Sequence, residues 1–248
     1  SELLVNDGPA VPILEQGPGW LGLLARDYAW RATADVVNRG HSGYTSRLAL
    51  ADLPELVARL PVSRSDDVCA VLLQFGCADA SAEGDAHVPP HEYESNLCGL
   101  VAGLRAALPA AKLIVMTPPV VVDSKWMEYA RNKGSSAGDL SLMKLKPYVA
   151  AASKVAKAAG AGCSLVDVHT GMTNRLMQFN DALGPDGRHL SQKGNNFVYR
   201  MLKEHLTDDL QIGPRALKPC LPTALSAAYP DGCDNDARLK KAGSTRRR

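Results

Sequence analysis

The chain carries a continuous apolar run in its first half, Cys69-Ala-Val-Leu-Leu-Gln-Phe75. A run of this kind is expected of a central strand that is covered on both faces. Two more runs follow after stretches with helical periodicity, Lys112-Leu-Ile-Val-Met116 and Ser164-Leu-Val-Asp-Val168. Strands that alternate with helices predict a parallel sheet with helices on both sides.

Working outward from these runs, the sequence predicts two further strands, Leu3–Val5 and Asp35–Asn38. The expected fold class is therefore α/β, a three-layer α/β/α sandwich with a parallel sheet of about five strands in a flavodoxin-like arrangement. Residues 120–139 are polar and irregular and are predicted to form a surface excursion. The helices are predicted at about Gly19–Arg31, Arg47–Leu60 with a disturbance at Pro54, Pro90 onward with an apolar stripe from Tyr93 to Leu104, Ser141 past Ala158, Gly171–Phe179 and Ser191–Leu206.

Composition excludes several classes of protein. The 248 residues are 46% hydrophobic and 22% charged with a net charge of +2, so no large field indicates a nucleic-acid or membrane partner. The six cysteines form no CxxC pair and the histidines have no metal-ligand spacing, so we expect reduced thiols, no metal and no cofactor. The segment SELLVNDG lacks the basic and apolar regions of a signal peptide. These features predict an intracellular, cytoplasmic protein, with a cytoskeletal, ciliary or organellar complex as a further expectation.

The last forty residues differ from the rest. Residues 209–248 contain four prolines and no sustained periodicity, so we divide the chain into a domain at 1–208 and an irregular tail at 209–248. From Arg238 onward there are six basic residues and no acidic one, which leaves the rest of the chain at about −4. A basic tail of this kind is usually solvated. Its alternative role, which we favour, is docking to other protein subunits of a large assembly.

Five sequence blocks carry a resemblance to a known family. They occur in the order Asn38-Arg-Gly-His-Ser-Gly-Tyr-Thr-Ser-Arg47, Phe75-Gly-Cys-Ala-Asp-Ala80, His87-Val-Pro-Pro-His-Glu-Tyr93, Thr117-Pro-Pro119 and Asp186-Gly-Arg-His-Leu-Ser-Gln-Lys-Gly-Asn195. In this order and spacing the chain resembles the SGNH (GDSL-type) hydrolases, and among them the isoamyl-acetate-hydrolysing esterases. The resemblance covers about residues 2–207.

The resemblance implies a serine esterase whose site is incomplete here. In the family, a GDS serine attacks the ester, a histidine in a DxxH loop takes its proton, and the preceding aspartate orients that histidine. A glycine in the block that corresponds to 38–47 and the asparagine of a GxND block help to hold the oxyanion. This chain keeps Gly40, Asp186 and His189, but Gly8 stands at the nucleophile position and Ala78 at the oxyanion asparagine.

We therefore predict a catalytically inactive member of the family, a pseudoenzyme that serves as a structural or docking subunit. The remaining site residues, Asp186, His189 and Gly40, are then vestigial, and the family topology predicts that they meet positions 8 and 78 at the carboxyl edge of the sheet. Asp186 has an alternative structural role, since an aspartate three residues before a histidine can stabilise the loop and cap the last helix.

Two other functions remain open. The first is a weak hydrolase of small esters, in which Cys77 is the nucleophile or His189 with Asp186 activates water. The second is a small-ligand binding module in the old cleft, whose pocket would include Asp7, Asn38 and Cys77.

Overall fold

The structure, a computed structural model, describes residues 17–31, 33–62, 64–81, 87–132, 140–176 and 181–217. The predicted strand Leu3–Val5, the positions Asp7 and Gly8, and residues 218–248 of the tail lie outside the described residues. In chain order the elements are α1 (Trp20–Trp30), α2 (Ser46–Ala51), α3 (Leu53–Ala58), a 3₁₀ turn (Ser65–Asp67), β1 (Ala70–Gln74), α4 (Cys77–Ser81), α5 (Pro90–Ala107), β2 (Lys112–Met116), α6 (Asp123–Asn132), α7 (Leu142–Ala159), β3 (Cys163–Val166), α8 (Val168–Leu176), α9 (Gln192–Glu204) and a π-helical turn (His205–Asp209).

The described sheet is parallel, with the strand order β1-β2-β3. Strand β2 lies in the middle, and all of its residues after Lys112 are buried. Its side chains alternate between the two faces, which is why the core is divided into two clusters. Leu113 and Val115 pack among the side chains of α5 and α7, whereas Ile114 and Met116 pack among those of α1 and α9. This division gives the three-layer α/β/α architecture that the alternation of strands and helices predicted.

The predicted count of about five strands differs from the three in the described residues. Residues 34–40, which include the predicted strand Asp35–Asn38, form no strand. In a flavodoxin-like order the second strand pairs only with the first, and the first predicted strand lies outside the described residues. Strand β1 was predicted to be central, but among the described residues it has one neighbouring strand, β2, and only its Leu73 is buried.

The predicted surface excursion at 120–139 is wrong over much of its length. Residues 123–132 form the helix α6, and residues 133–139 lie outside the described part of the chain. The helix was missed because its sequence is mostly polar. Only Trp126 and Ala130 are buried, and their spacing of four residues places them on one helix face.

The described start of the tail packs on the domain. Leu210, Ile212 and Leu217 contact the cluster formed by α1 and α9. The buried Tyr28 hydroxyl of α1 donates a hydrogen bond to the Ile212 carbonyl at 2.8 Å. Residues 209–217 are thus anchored to the helix layer of α1 and α9. Within the described residues, the helices are too short or too polar to cross a bilayer.

Candidate active site

The loop that carries Asp186 and His189 is closed by its own backbone. Leu183 and Leu190 form an antiparallel bridge, and the Gly184 amide donates to the His189 carbonyl at 2.7 Å. Gly187 lies inside this turn at φ +73°, in the left-handed region that favours glycine. The loop therefore presents residue 189 directly before α9.

Asp186 orients the His189 ring. The Asp186 Oδ2 atom contacts His189 Nδ1, while Asp186 Oδ1 accepts hydrogen bonds from the amides of Arg188 at 3.0 Å and His189 at 3.1 Å. Burial acts to raise the pKa of Asp186, but these bonds and the nearby His189 charge hold it below the ordinary carboxyl value. The Asp186 side chain is 13% exposed and that of His189 is 38% exposed, so the imidazole faces outward from a buried carboxylate.

Helix α6 holds the loop from outside. The Val122 amide, which precedes α6, donates to the Gly187 carbonyl at 2.8 Å. The Arg188 guanidinium lies 5.1 Å from the centre of the Trp126 ring, a cation–π distance. A Cβ on Gly187 would lie 2.6 Å from the Lys125 Cβ and 2.9 Å from the Val122 carbonyl. Only glycine fits this contact.

The sequence block at 75–80 is fixed by a buried carboxylate. Asp79 is fully buried, and its two oxygens accept hydrogen bonds from the Gly76 amide at 3.0 Å and from Ser46. The Ser46 amide donates at 2.8 Å and the Ser46 hydroxyl at 2.6 Å. Burial raises the pKa of Asp79, although these bonds act in the opposite direction. Gly76 has φ +117°, and a Cβ there would lie 3.0 Å from Pro118. The blocks at 38–47, 75–80 and 117–119 thus meet at the ends of β1 and β2.

Of the positions expected from the resemblance to bind an oxyanion, the two that the structure describes offer few donors. Ala78 lies in the short helix α4, is partly exposed, and has a methyl group where an amide would donate. The Gly40 amide donates to the Asn38 side-chain oxygen at 2.9 Å, so it is already engaged in this structure. Cys77 is partly buried and packs against the larger hydrophobic cluster, as expected of a thiol beside a strand end.

The meeting of positions 8, 40, 78, 186 and 189 stays a prediction, because position 8 lies outside the described residues. Asp7 also lies outside the described residues, so its place in the predicted pocket stays a prediction. Among the described residues, no cluster of histidine, cysteine and acidic side chains could hold a metal ion.

Sequence reasoning missed a buried histidine at the carboxyl end of β3. His169 is 8% exposed, and burial lowers its pKa despite the nearby Pro118 and Pro119 carbonyls. Its Nδ1 atom has no hydrogen-bond partner among the described residues. Thr117 fixes the backbone here, since its hydroxyl accepts from the His169 amide at 2.9 Å and donates to Asp167 at 3.0 Å. The available signal was the position of His169 directly after the predicted strand Ser164–Val168.

Comparison with known proteins gives a consistent set of relatives. Residues 6–197 match the GDSL-like Lipase/Acylhydrolase family. The chain is 35% identical over 204 residues to the isoamyl acetate-hydrolyzing esterase 1 homolog of Bos taurus, covering 81% of this chain and 78% of that protein. It is 33% identical over 201 residues to the Mus musculus homolog, covering 79% and 77%. A GDSL esterase/lipase of Arabidopsis thaliana is 29% identical over 208 residues, covering 82% and 84%.

Solved structures share the fold. The α/β hydrolase LAE5 from the metagenome of Lake Arreo has a TM-score of 0.59 at 23% identity and covers 79% of this chain and 83% of its own. The acetylxylan esterase Axe2 of Geobacillus stearothermophilus has a TM-score of 0.57 at 22% identity and covers 77% and 81%.

Proposed function

The chain belongs to the GDSL-like lipase/acylhydrolase family, and we propose that within it this protein is a non-catalytic member that serves as a subunit of a larger protein assembly. The observation that carries the proposal is the residue at the nucleophile position, which is Gly8. Glycine has no side chain that could be acylated, so the family's covalent intermediate cannot form there.

The magnitude of the loss supports this proposal. Removal of a serine nucleophile from a comparable triad costs a factor of about 10⁶ in turnover. Removal of one oxyanion donor, as at Ala78, costs roughly 10²–10³. The two factors are not additive, because the donor acts only when an oxyanion forms. The first loss alone is sufficient.

Retention of the Asp186–His189 pair is compatible with an inactive protein. Asp186 accepts two backbone amide hydrogen bonds and contacts the ring of His189, which lies three residues before the start of α9. These contacts stabilise the turn whether or not His189 transfers a proton. The pair therefore has a structural reason to remain after the chemistry is lost.

The tail supplies the proposed docking element. Residues 209–217 pack on the domain, and six basic residues follow from Arg238 onward. The remainder of the chain is acidic by about four charges, so the basic end is the part with the strongest attraction for an acidic surface on another subunit.

The first experiment restores the missing groups. We expect no hydrolysis of p-nitrophenyl acetate by the native protein that depends on His189. The double variant Gly8→Ser with Ala78→Asn is expected to gain hydrolysis that disappears on adding His189→Ala. Native activity that His189→Ala abolishes would contradict the proposal.

The second experiment tests the assembly. Native protein extracted from its source should migrate far above the 26.4 kDa of the chain, and deletion of residues 218–248 should return it to the size of a monomer. A native protein that is already monomeric would refute the subunit role.

One observation favours a second candidate, a weak hydrolase that uses activated water. The contact of Asp186 Oδ2 with His189 Nδ1 leaves Nε2 as the ring atom that could take a proton. The comparison of native protein with His189→Ala distinguishes this candidate from the inactive protein.

A further inference from the structure

Outside the Asp186–His189 loop, a serine, a histidine and an aspartate are hydrogen-bonded in series. Ser164 lies on β3, and His205 and Asp209 are the two ends of the π-helical turn after α9. His205 Nε2 lies 2.7 Å from Ser164 Oγ, and His205 Nδ1 lies 2.6 Å from Asp209 Oδ2. The His205 side chain is 12% exposed, so the ring is largely withdrawn from water.

The partners of the His205 ring define its tautomer. An ionised carboxylate only accepts hydrogen bonds, so Nδ1 carries the proton that is donated to Asp209. In the neutral tautomer with the proton on Nδ1, Nε2 has a lone pair that can accept a hydrogen bond from the Ser164 hydroxyl. This is the order of nucleophile, base and orienting carboxylate that activates a serine.

An open cavity of about 340 Å³, a surface groove rather than an enclosed pocket, lies beside this array. His205 and Asp209 are among its lining residues, and Ser164 is not. Ser164 is hydrogen-bonded to one lining residue and precedes another in the sequence. Four carboxylates and no lysine or arginine are found among the described lining residues, which include Leu165, Asp167, Glu204, His205, Asp208 and Asp209.

The edge of β3 supplies a backbone donor. Carbonyls of Gly162 and Val166 accept hydrogen bonds from the β2 side, at 2.9 Å and 3.2 Å. Peptide groups alternate in direction along a strand, so the Leu165 amide points to the opposite edge. Leu165 also lines the cavity, so its N–H is the backbone donor that we assign to a developing oxyanion.

We infer that Ser164, His205 and Asp209 form a second nucleophilic site, which accepts acyl groups from small carboxylic esters that carry a positive charge. Ser164 Oγ bonds to the ester carbonyl carbon while its proton moves to His205 Nε2. The carbon–oxygen bond to the alcohol then breaks, and the alcohol leaves with the proton from His205. Water releases the acid by the reverse proton transfers and restores the serine.

The charge of the cavity selects the substrate. The carboxylates of Asp167, Glu204, Asp208 and Asp209 attract a cation and repel an anionic acyl compound. They also oppose a developing oxyanion unless the substrate brings a compensating positive charge. With a single backbone donor, turnover will be slow, so covalent trapping is the direct measurement.

The test uses the whole chain and a fluorophosphonate probe, whose fluoride leaves when Ser164 Oγ bonds to phosphorus. Peptide mass mapping should place the adduct on Ser164. Ser164→Ala and His205→Gln should each reduce labelling by about tenfold or more, and the exposed control Ser65→Ala should leave it unchanged. The variants are compared only after circular dichroism shows native melting. Folded native protein without an adduct, or equal labelling of Ser164→Ala, would overturn the inference.

A competition experiment tests the substrate class. Acetylthiocholine should slow labelling at least about threefold more than its neutral 3,3-dimethylbutyl analogue, and high salt should reduce the difference. Equal protection by the two esters would refute the charge selection. The inference goes beyond the proposed function, which denies catalysis only at the family's site around His189. The adduct position separates the two: an adduct on Ser164 supports the second site, whereas an adduct on Cys77 contradicts the loss of catalysis at the family's site.

Discussion

Replacement of Ser46 by alanine tests the buried network that joins the sequence blocks at 38–47 and 75–80. Ser46 and Asp79 are fully buried, and Asn96 is 7% exposed. The Ser46 hydroxyl donates to Asp79 Oδ1 at 2.6 Å and accepts from Asn96 Nδ2 at 3.1 Å. Ser46→Ala removes a hydrogen bond to a charged group, at about 1.5–3 kcal/mol, and deprives the Asn96 amide of an acceptor. We expect a loss of about 2–4 kcal/mol in the free energy of unfolding.

The penalty should also depend on pH. Burial already raises the pKa of Asp79 above the ordinary 3.8, and loss of the Ser46 bond raises it further. A raised carboxyl pKa means that the folded state binds more protons, so stability falls as pH rises from the ordinary value to the folded one. In Ser46→Ala the higher pKa of Asp79 extends this pH range upward. The loss in the free energy of unfolding is therefore larger at pH 7 than at pH 4.

Urea unfolding of native protein and Ser46→Ala at both pH values measures the effect. The exposed Ser65→Ala serves as the matched control and should stay within about 0.5 kcal/mol of native. A penalty below about 1 kcal/mol, or one that is the same at pH 4 and pH 7, would refute the argument that this hydroxyl stabilises a buried carboxylate.

Three further outcomes are expected. Asp186→Asn should lower stability at pH 7, and its difference from native should shrink as pH falls below the ordinary carboxyl value of 3.8, because the lowered pKa of Asp186 stabilises the fold only while the group is ionised; thermal melting from pH 2 to 7 measures this. Tyr28→Phe removes the bond to the Ile212 carbonyl and should cost about 1 kcal/mol, with faster hydrogen exchange in residues 209–217; unchanged exchange would contradict that anchor. Iodoacetamide at pH 8 should alkylate exposed Cys98 about tenfold faster than Cys163, whose pKa is raised by burial, as mass mapping can determine.

The elements that sequence predicted well are those with a strong local period. In α5 the residues Tyr93, Leu97, Leu100 and Leu104 recur at spacings of three and four, and all are buried. The strand Lys112–Met116 was predicted at its observed bounds, because an apolar run between two helices has few other possible structures.

Elements that depend on tertiary contacts were not predictable in this way. Helix α6 has a polar composition. Its buried Trp126 packs in the cluster of α5 and α7 and also contacts the loop at 183–190. Trp126 packs there under Arg188, which follows it by 62 positions in the sequence. No local pattern in residues 120–139 indicates that this distant arginine supplies the covering surface.

The site was predictable only where a sequence block contains both partners. Asp186 and His189 are three residues apart, so their contact follows from the block itself. Ser46 and Asp79 belong to separate blocks, and their bond required the fold. Ser164 and His205 belong to no block, which is why sequence reasoning did not connect them.

The geometry is compatible with the proposed loss of the family's reaction without loss of the fold. The bonds that fix the retained blocks run between Asp79 and Ser46, and from Asp186 to the amides of its own loop. None of these bonds involves a side chain at position 8 or 78. A serine nucleophile acts on the transition state, so under the proposed function a glycine at position 8 removes catalysis without touching these networks. Selection for a subunit role would then act on the same buried bonds that once positioned the catalytic groups.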